Sequence, residues 1–120
     1  FDTSMNQNPV SNSGDIVEPS LNLIPQGVTE SNRVGRKCVI KSIGLRYKLT
    51  LPRQDAQSVP DDGDECRVIL YLDKQCNGAT AAVADLIEDN NVRSFRNLTE
   101  SGRFHILYDK LSYVLPVFAV

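Results

Sequence analysis

The sequence predicts an all-β fold, an antiparallel β-sandwich formed by one domain, and three observations carry that prediction. Val39, Ile43, Leu45, Tyr47, Leu49 and Leu51 share one parity, interrupted by Lys41, while Ser42, Gly44, Arg46, Lys48 and Thr50 occupy the other. Such alternation suits a pleated strand with one side toward a core. Residues 66–72, CRVILYL, are β-prone and apolar on both parities, as in a strand covered on both faces. Strands do not alternate with helical segments, which argues against a parallel sheet.

Along the chain, residues 1–32 are polar and rich in Asn, Ser and Gly, with one extended segment at 16–24 whose Pro19 suits an edge strand or bulge. Pro25, Gly27 and the following Glu-Ser-Asn run predict a turn and loop. The long strand at 39–51 then leads through PRQDAQSVPDDGDE, with a tight turn at Asp62-Gly63, into strand 66–72, so these two strands read as a hairpin. Asn77-Gly78 ends the second strand. The Ala-rich stretch 79–89 is the one good helix candidate, three turns at most, and reads as a loop excursion. Residues 90–102 are loop-like, with Phe95 and Leu98 expected to anchor on the sheet. Phe104, Ile106 and Tyr108 alternate on one parity of a further strand, and residues 111–120 are apolar and β-prone to the last residue. An uncovered apolar strand of that kind invites aggregation, so either the chain continues past Val120 or a neighbour covers this end.

The 120 residues suit a single domain, 1–120, and the 23% charged and 41% hydrophobic fractions point to neither disorder nor a membrane protein. The start has neither Met nor a signal peptide, as expected of a trimmed product. Cys38, Cys66 and Cys76 are odd in number and lack CxxC spacing, so they read as reduced thiols rather than a zinc or disulfide framework. With His105 the single histidine, no metal triad or conventional nucleophile and base pair can be built, and no phosphate loop or nucleophile elbow is present. No catalytic residue, metal ligand or cofactor is expected, and the chain does not read as an enzyme. The acidic run Asp61, Asp62, Asp64 and Glu65 lacks EF-hand spacing and reads as a hairpin loop rather than a calcium site. The Asn97-Leu98-Thr99 sequon reads as coincidence.

The net charge of -2 conceals a segregation. Between Arg33 and Lys48 there are six cations and no acid, whereas residues 54–90 carry nine carboxylates against Arg67 and Lys74. Cations spaced along an extended strand can follow a phosphate backbone with affinity but no base reading. Arg36, Lys37, Lys41, Arg46 and Lys48 are therefore the candidate nucleic-acid-binding residues. The competing reading pairs them with the acidic half of the same or the next subunit.

Several blocks in order make the chain recognisable: LIPQG at 23–27, RKCVIKSI at 36–43, ILYLDKQ at 69–75 with NGA at 77–79, SFRNL at 94–98 and GRFHILYDK at 102–110. With these the chain resembles the capsid proteins of small circular single-stranded DNA viruses that encode a replication initiator, the circovirus-like group. The resemblance implies a jelly roll of eight strands that self-assembles into a small icosahedral shell around a circular single-stranded DNA genome. Its partners would be other copies of itself and the enclosed DNA, with no membrane, and it would be part of a virion assembled in the host cell, in the nucleus. The family's arginine-rich amino-terminal arm is not among these residues, and its last strands are expected beyond Val120. Two other functions fit a β-sandwich: a carbohydrate-binding or ligand-binding module working through its loops, and a capsid-like shell domesticated by a host.

Overall fold

The computed structural model describes residues 10–11, 13–17, 21, 23–30, 32–50, 63–75 and 78–115. Among these, strand β1, Asp64–Asp73, pairs antiparallel with strand β2, Phe104–Val114, in one two-stranded sheet. A one-turn helix α1, Val83–Leu86, and a 3-10 turn, Leu98–Glu100, lie on the connection between them. The regular structure of the described residues is thus mostly strand with little helix, which is compatible with an all-β reading.

The partner of β1 differs from the expected one. Residues 37–50 carry no ladder, turn or bend, and β1 pairs instead with β2 across an excursion of the chain. Cross-strand chemistry explains the choice, because directly opposed and diagonal side chains set the pairing energy. In register with β1, strand β2 puts Asp109 opposite Ile69 and diagonal to Arg67, and Phe104 opposite Asp73 beside Arg103. The segment 37–50 carries no carboxylate to offer Arg67. The extended segment expected at 16–24 likewise has none of its described residues in a strand, and Pro19 lies outside the described residues.

A shift in register between Leu70 and Tyr71 leaves Leu107 as an extra residue in β2, a β-bulge that reverses the alternation beyond it. Phe104, Ile106 and Tyr108 therefore do not share a face, contrary to their common parity. Phe104 and Ile106 lie opposite Asp73 and Tyr71 on one face, together with Asp109, whereas Tyr108 lies opposite Leu70 on the other. The bulge is what brings Asp109 to the face of Arg67.

The excursion 78–103 covers that first face. Ala81, Leu86 and Ile87 from the excursion and Phe104 from β2 are buried, with Ile16, Ile69, Tyr71, Val83 and Ile106 packed around them. The helix is short for a local reason. Ala82 at its start has no side-chain acceptor, and only the carboxylate of Asp85 reaches back, accepting from the Ala82 N–H at 2.9 Å. Beyond Leu86 the chain returns to extended backbone and Ile87 bridges to Arg96. Asn97 ties the two turns together: its N–H donates to Leu86 O at 2.9 Å, its side-chain amide to Ala84 O at 3.0 Å, and its oxygen accepts from Thr99 N at 3.1 Å. The asparagine of the sequon is thus committed to the local fold. Phe95 and Leu98, expected as anchors, are exposed, Phe95 at 82%. The anchoring is performed by the residues between and before them, Ser94, Arg96 and Leu86.

Gly63 precedes β1 with φ +108, where a side chain is strained, and a Cβ there would lie 2.5 Å from Val114 O and 2.9 Å from the Tyr113 ring. Its partner in the expected turn, Asp62, lies outside the described residues. Gly63→Ala is expected to lower the urea midpoint of unfolding by the equivalent of about 2 kcal/mol, from backbone strain and the lost close approach of the two strand ends. An unchanged midpoint in circular dichroism would show that this strand end carries no weight in stability.

Candidate nucleic-acid and subunit surfaces

The basic segment at 37–50 forms no strand pairing among the described residues. Leu45 and Leu49 are half-buried, and the Tyr47 hydroxyl meets the Tyr108 hydroxyl at 3.1 Å, so the odd positions of this stretch face β2. That hydrogen bond to Tyr108, chiefly, with burial adding to it, pushes the Tyr47 phenol above its ordinary value. Arg46 and Lys48, on either side of Tyr47, are exposed. Arg36, Lys37, Lys41, Arg46 and Lys48 are all exposed, and none takes part in an ion pair among the described residues. Arg33, the first cation of the stretch, is set apart: its Nε donates to Ile24 O at 3.1 Å and its Nη1 to Gly35 O at 2.5 Å, closing the loop at 25–33. The structure therefore separates one structural arginine from five cations that form no ion pair among the described residues. His105, opposite Leu72, is exposed. Among the described residues no group of His, Cys, Asp and Glu is arranged to hold a metal, and Asp61 and Asp62 lie outside them.

The most heavily bonded polar group is one that the pattern of residues did not single out. Arg67 donates from Nε to Asp109 Oδ1 and from Nη2 to Oδ2, both at 2.7 Å, while Nη1 donates to Ser94 O at 2.5 Å and Val92 O at 3.3 Å. Arg96 Nε adds a bond to Asp109 Oδ2 at 3.1 Å. The side chains of Arg67 and Asp109 are only 14% and 12% exposed, so the paired geometry is set in a partly desolvated site. The Arg67 guanidinium, seconded by Arg96, holds the Asp109 carboxyl below the usual carboxylate range against the opposing effect of burial. Along the same face Arg103 clasps Asp73 with bonds of 2.9 and 2.8 Å, and Arg93 pairs with Glu65. The arginine of each pair lowers the pKa of Asp73 and of Glu65 in turn. Three of these contacts join the excursion to the sheet, completing with charge the cover that Leu86 and Ile87 begin with apolar surface. A sequence signal for this existed: Arg67, Asp73, Arg103 and Asp109 are charges embedded in or bounding otherwise apolar strands, where an unpaired charge is costly.

The opposite face meets the segment at 45–49 through the hydrogen bond between Tyr47 and Tyr108. Cys66, Val68 and Leu70 are half-buried, Leu72 is 47% exposed, and Leu107 and Tyr108 are exposed beside them. Burial, with the nearby Asp64 carboxylate, raises the Cys66 thiol pKa, which keeps it protonated and inert. Cys38 is a free, exposed thiol, and Cys76 lies outside the described residues.

The described residues define a two-stranded antiparallel sheet with one face packed against the excursion 78–103. Against family models, curated proteins and solved structures, the chain gives no match.

Proposed function

We propose that the chain is a jelly-roll capsid subunit, a non-enzymatic structural protein that self-associates into a small shell enclosing circular single-stranded DNA. The observation that carries the reading is apolar surface spread over the sheet: Leu72, Leu107 and Leu111 are 47%, 48% and 44% exposed, while the core among the described residues is limited to Ala81, Leu86, Ile87 and Phe104. A soluble monomer seldom exposes adjoining apolar strand surface, and a second sheet or neighbouring copies supply the natural cover. The blocks RKCVIKSI, ILYLDKQ and GRFHILYDK direct that general need toward a viral shell. Three of the residues in these blocks, Asp73, Arg103 and Asp109, are the partners in the charge pairs that hold the sheet and its cover together.

The DNA would lie against the exposed cations. Changing Arg46 and Lys48 to Ser is expected to leave particles intact while lowering their nucleic-acid content and flattening its dependence on salt, by about one unit of logarithmic slope per lost phosphate contact. Electron microscopy and the ratio of absorbance at 260 to 280 nm read the two outcomes. A 13.3 kDa monomer at every concentration overturns the shell, and shells that carry unchanged nucleic acid in the double variant overturn the assignment of these two residues. Shells purified without any nucleic acid would instead favour a domesticated, empty particle.

A further inference from the structure

The contact between the basic segment and β2 gathers donors from two distant parts of the chain. Tyr108 lies opposite Leu70 and Lys110 opposite Val68, so these two residues of β2 share the face that meets Tyr47. The Lys110 ammonium is close enough to pull the Tyr47 phenol downward, against the larger upward effect of the hydrogen bond from Tyr108. Arg46 and Lys48 adjoin Tyr47, and like Lys110 they are exposed and form no ion pair among the described residues. Asp109, between Tyr108 and Lys110 in sequence, is on the other face, held by Arg67 and Arg96. The Tyr47 and Tyr108 hydroxyls stand 3.1 Å apart. Two hydroxyls carry two protons, and the bond between them uses one. The other finds no acceptor among the described residues. Both rings are partly open to solvent, Tyr47 at 43% and Tyr108 at 37%.

We infer that the Tyr47 and Tyr108 hydroxyl pair, together with Lys110, Arg46 and Lys48, binds a backbone phosphate of single-stranded DNA. The free hydroxyl proton and three ammonium or guanidinium groups are all donors, as a phosphodiester requires, and charge-assisted bonds to an anion are the strong ones. The half-exposed rings beside them decide for a nucleotide over a bare anion, since a base can lie on an aromatic face whatever its identity. The site is built from residues sixty positions apart, so it exists only once Tyr47 has met Tyr108. The inference rests on the DNA-enclosing reading above and extends the DNA surface from the basic segment onto β2, where Lys110 is a further phosphate contact.

Fluorescence anisotropy of a labelled oligothymidylate of about twenty nucleotides, between about 50 and 300 mM salt, tests the site in the whole chain. The variants are Lys110→Gln, Tyr47→Phe/Tyr108→Phe, and Lys74→Gln, which removes the same charge just past the end of β1. Every changed residue is exposed, so each variant is expected to fold. Lys110→Gln should bind about tenfold more weakly at the lowest salt, with a logarithmic salt slope shallower by roughly 0.7, the counterion release of one single-strand phosphate contact. The double Phe variant should bind about fivefold more weakly with its slope unchanged, because a hydroxyl donor releases no counterion. Lys74→Gln should match the wild type in slope. A Lys110→Gln slope equal to that of Lys74→Gln overturns the site and leaves DNA binding by Arg46 and Lys48 standing. Unaltered affinity in the double Phe variant removes the hydroxyl pair and overturns the site as well. A wild type that binds no oligonucleotide overturns both the site and the DNA-enclosing reading.

Discussion

Phe104→Ala is expected to cost about 3–4 kcal/mol of folding stability, the largest loss from any single truncation in this core. Phe104 is the one aromatic ring buried among the described residues, and it meets Tyr71 edge to face with centroids 5.5 Å apart. The Arg103 guanidinium sits 4.9 Å from the same ring. Removing the ring empties the space where Ala81, Leu86 and Ile87 converge on the sheet, and with so few buried residues the surroundings have little else to collapse onto. Thermal unfolding followed by circular dichroism measures the loss. Phe104→Leu, which keeps most of the volume, should lose less than half as much. A melting curve for Phe104→Ala that superposes on the wild type would mean that the excursion does not cover the sheet in solution.

Asp109→Ala is expected to cost about 2–3 kcal/mol, because it leaves the partly buried Arg67 without its carboxylate. The double variant Arg67→Met/Asp109→Ala should recover part of that loss, since removing both charges removes the stranded one; no recovery would show that the pair is not coupled. The same pair sets a pH dependence. Asp109 and Asp73 have folded pKa values below their unfolded ones, so their contribution is fully present above the unfolded value near 3.9 and is lost as pH falls through the lower folded value. Stability should accordingly be flat from about pH 7 to 5 and decline below that, and Asp109→Ala should decline less steeply. An equal slope in wild type and variant between pH 5 and 2 would rule out the Asp109 carboxylate as a source of the acid sensitivity. Loosening of the 88–97 cover should accompany the decline, because Arg67 and Arg96 hold that segment through this carboxylate and its neighbouring carbonyls.

Strand content was readable where the pattern was unambiguous. The apolar run 66–72 lies within β1, the run at 104–108 and its continuation as far as Val114 lie in β2, with 116–120 outside the described residues, and the Ala-rich stretch makes only one helical turn in a loop excursion. What the pattern could not carry was pairing. Alternation over 39–51 states that one side of an extended segment would be apolar, but it says nothing of which backbone will bond to it. The segment pairs with none among the described residues, and while Leu45 and Leu49 are half-buried, Val39 remains exposed. Phe95 and Leu98 illustrate the same limit for side chains. Both look like anchors by composition, yet the short turns at Asn91 and Asn97 rotate them outward and give the anchoring to Arg67, Ser94 and Arg96.

The sequence by itself determined the all-β character, the place of the one α-helical turn, and a stretch of six cations with no acid among them. Tertiary structure alone decided that β2 pairs with β1, that the bulge at Leu107 moves Asp109 onto the face of Arg67, and that Arg33 is withdrawn from the basic set. The physical reason is one of range. Alternation, propensity and local charge are properties of neighbours along the chain, whereas a bulge, a shared carboxylate and a covered face arise only when residues some forty positions apart compete for the same few ångströms.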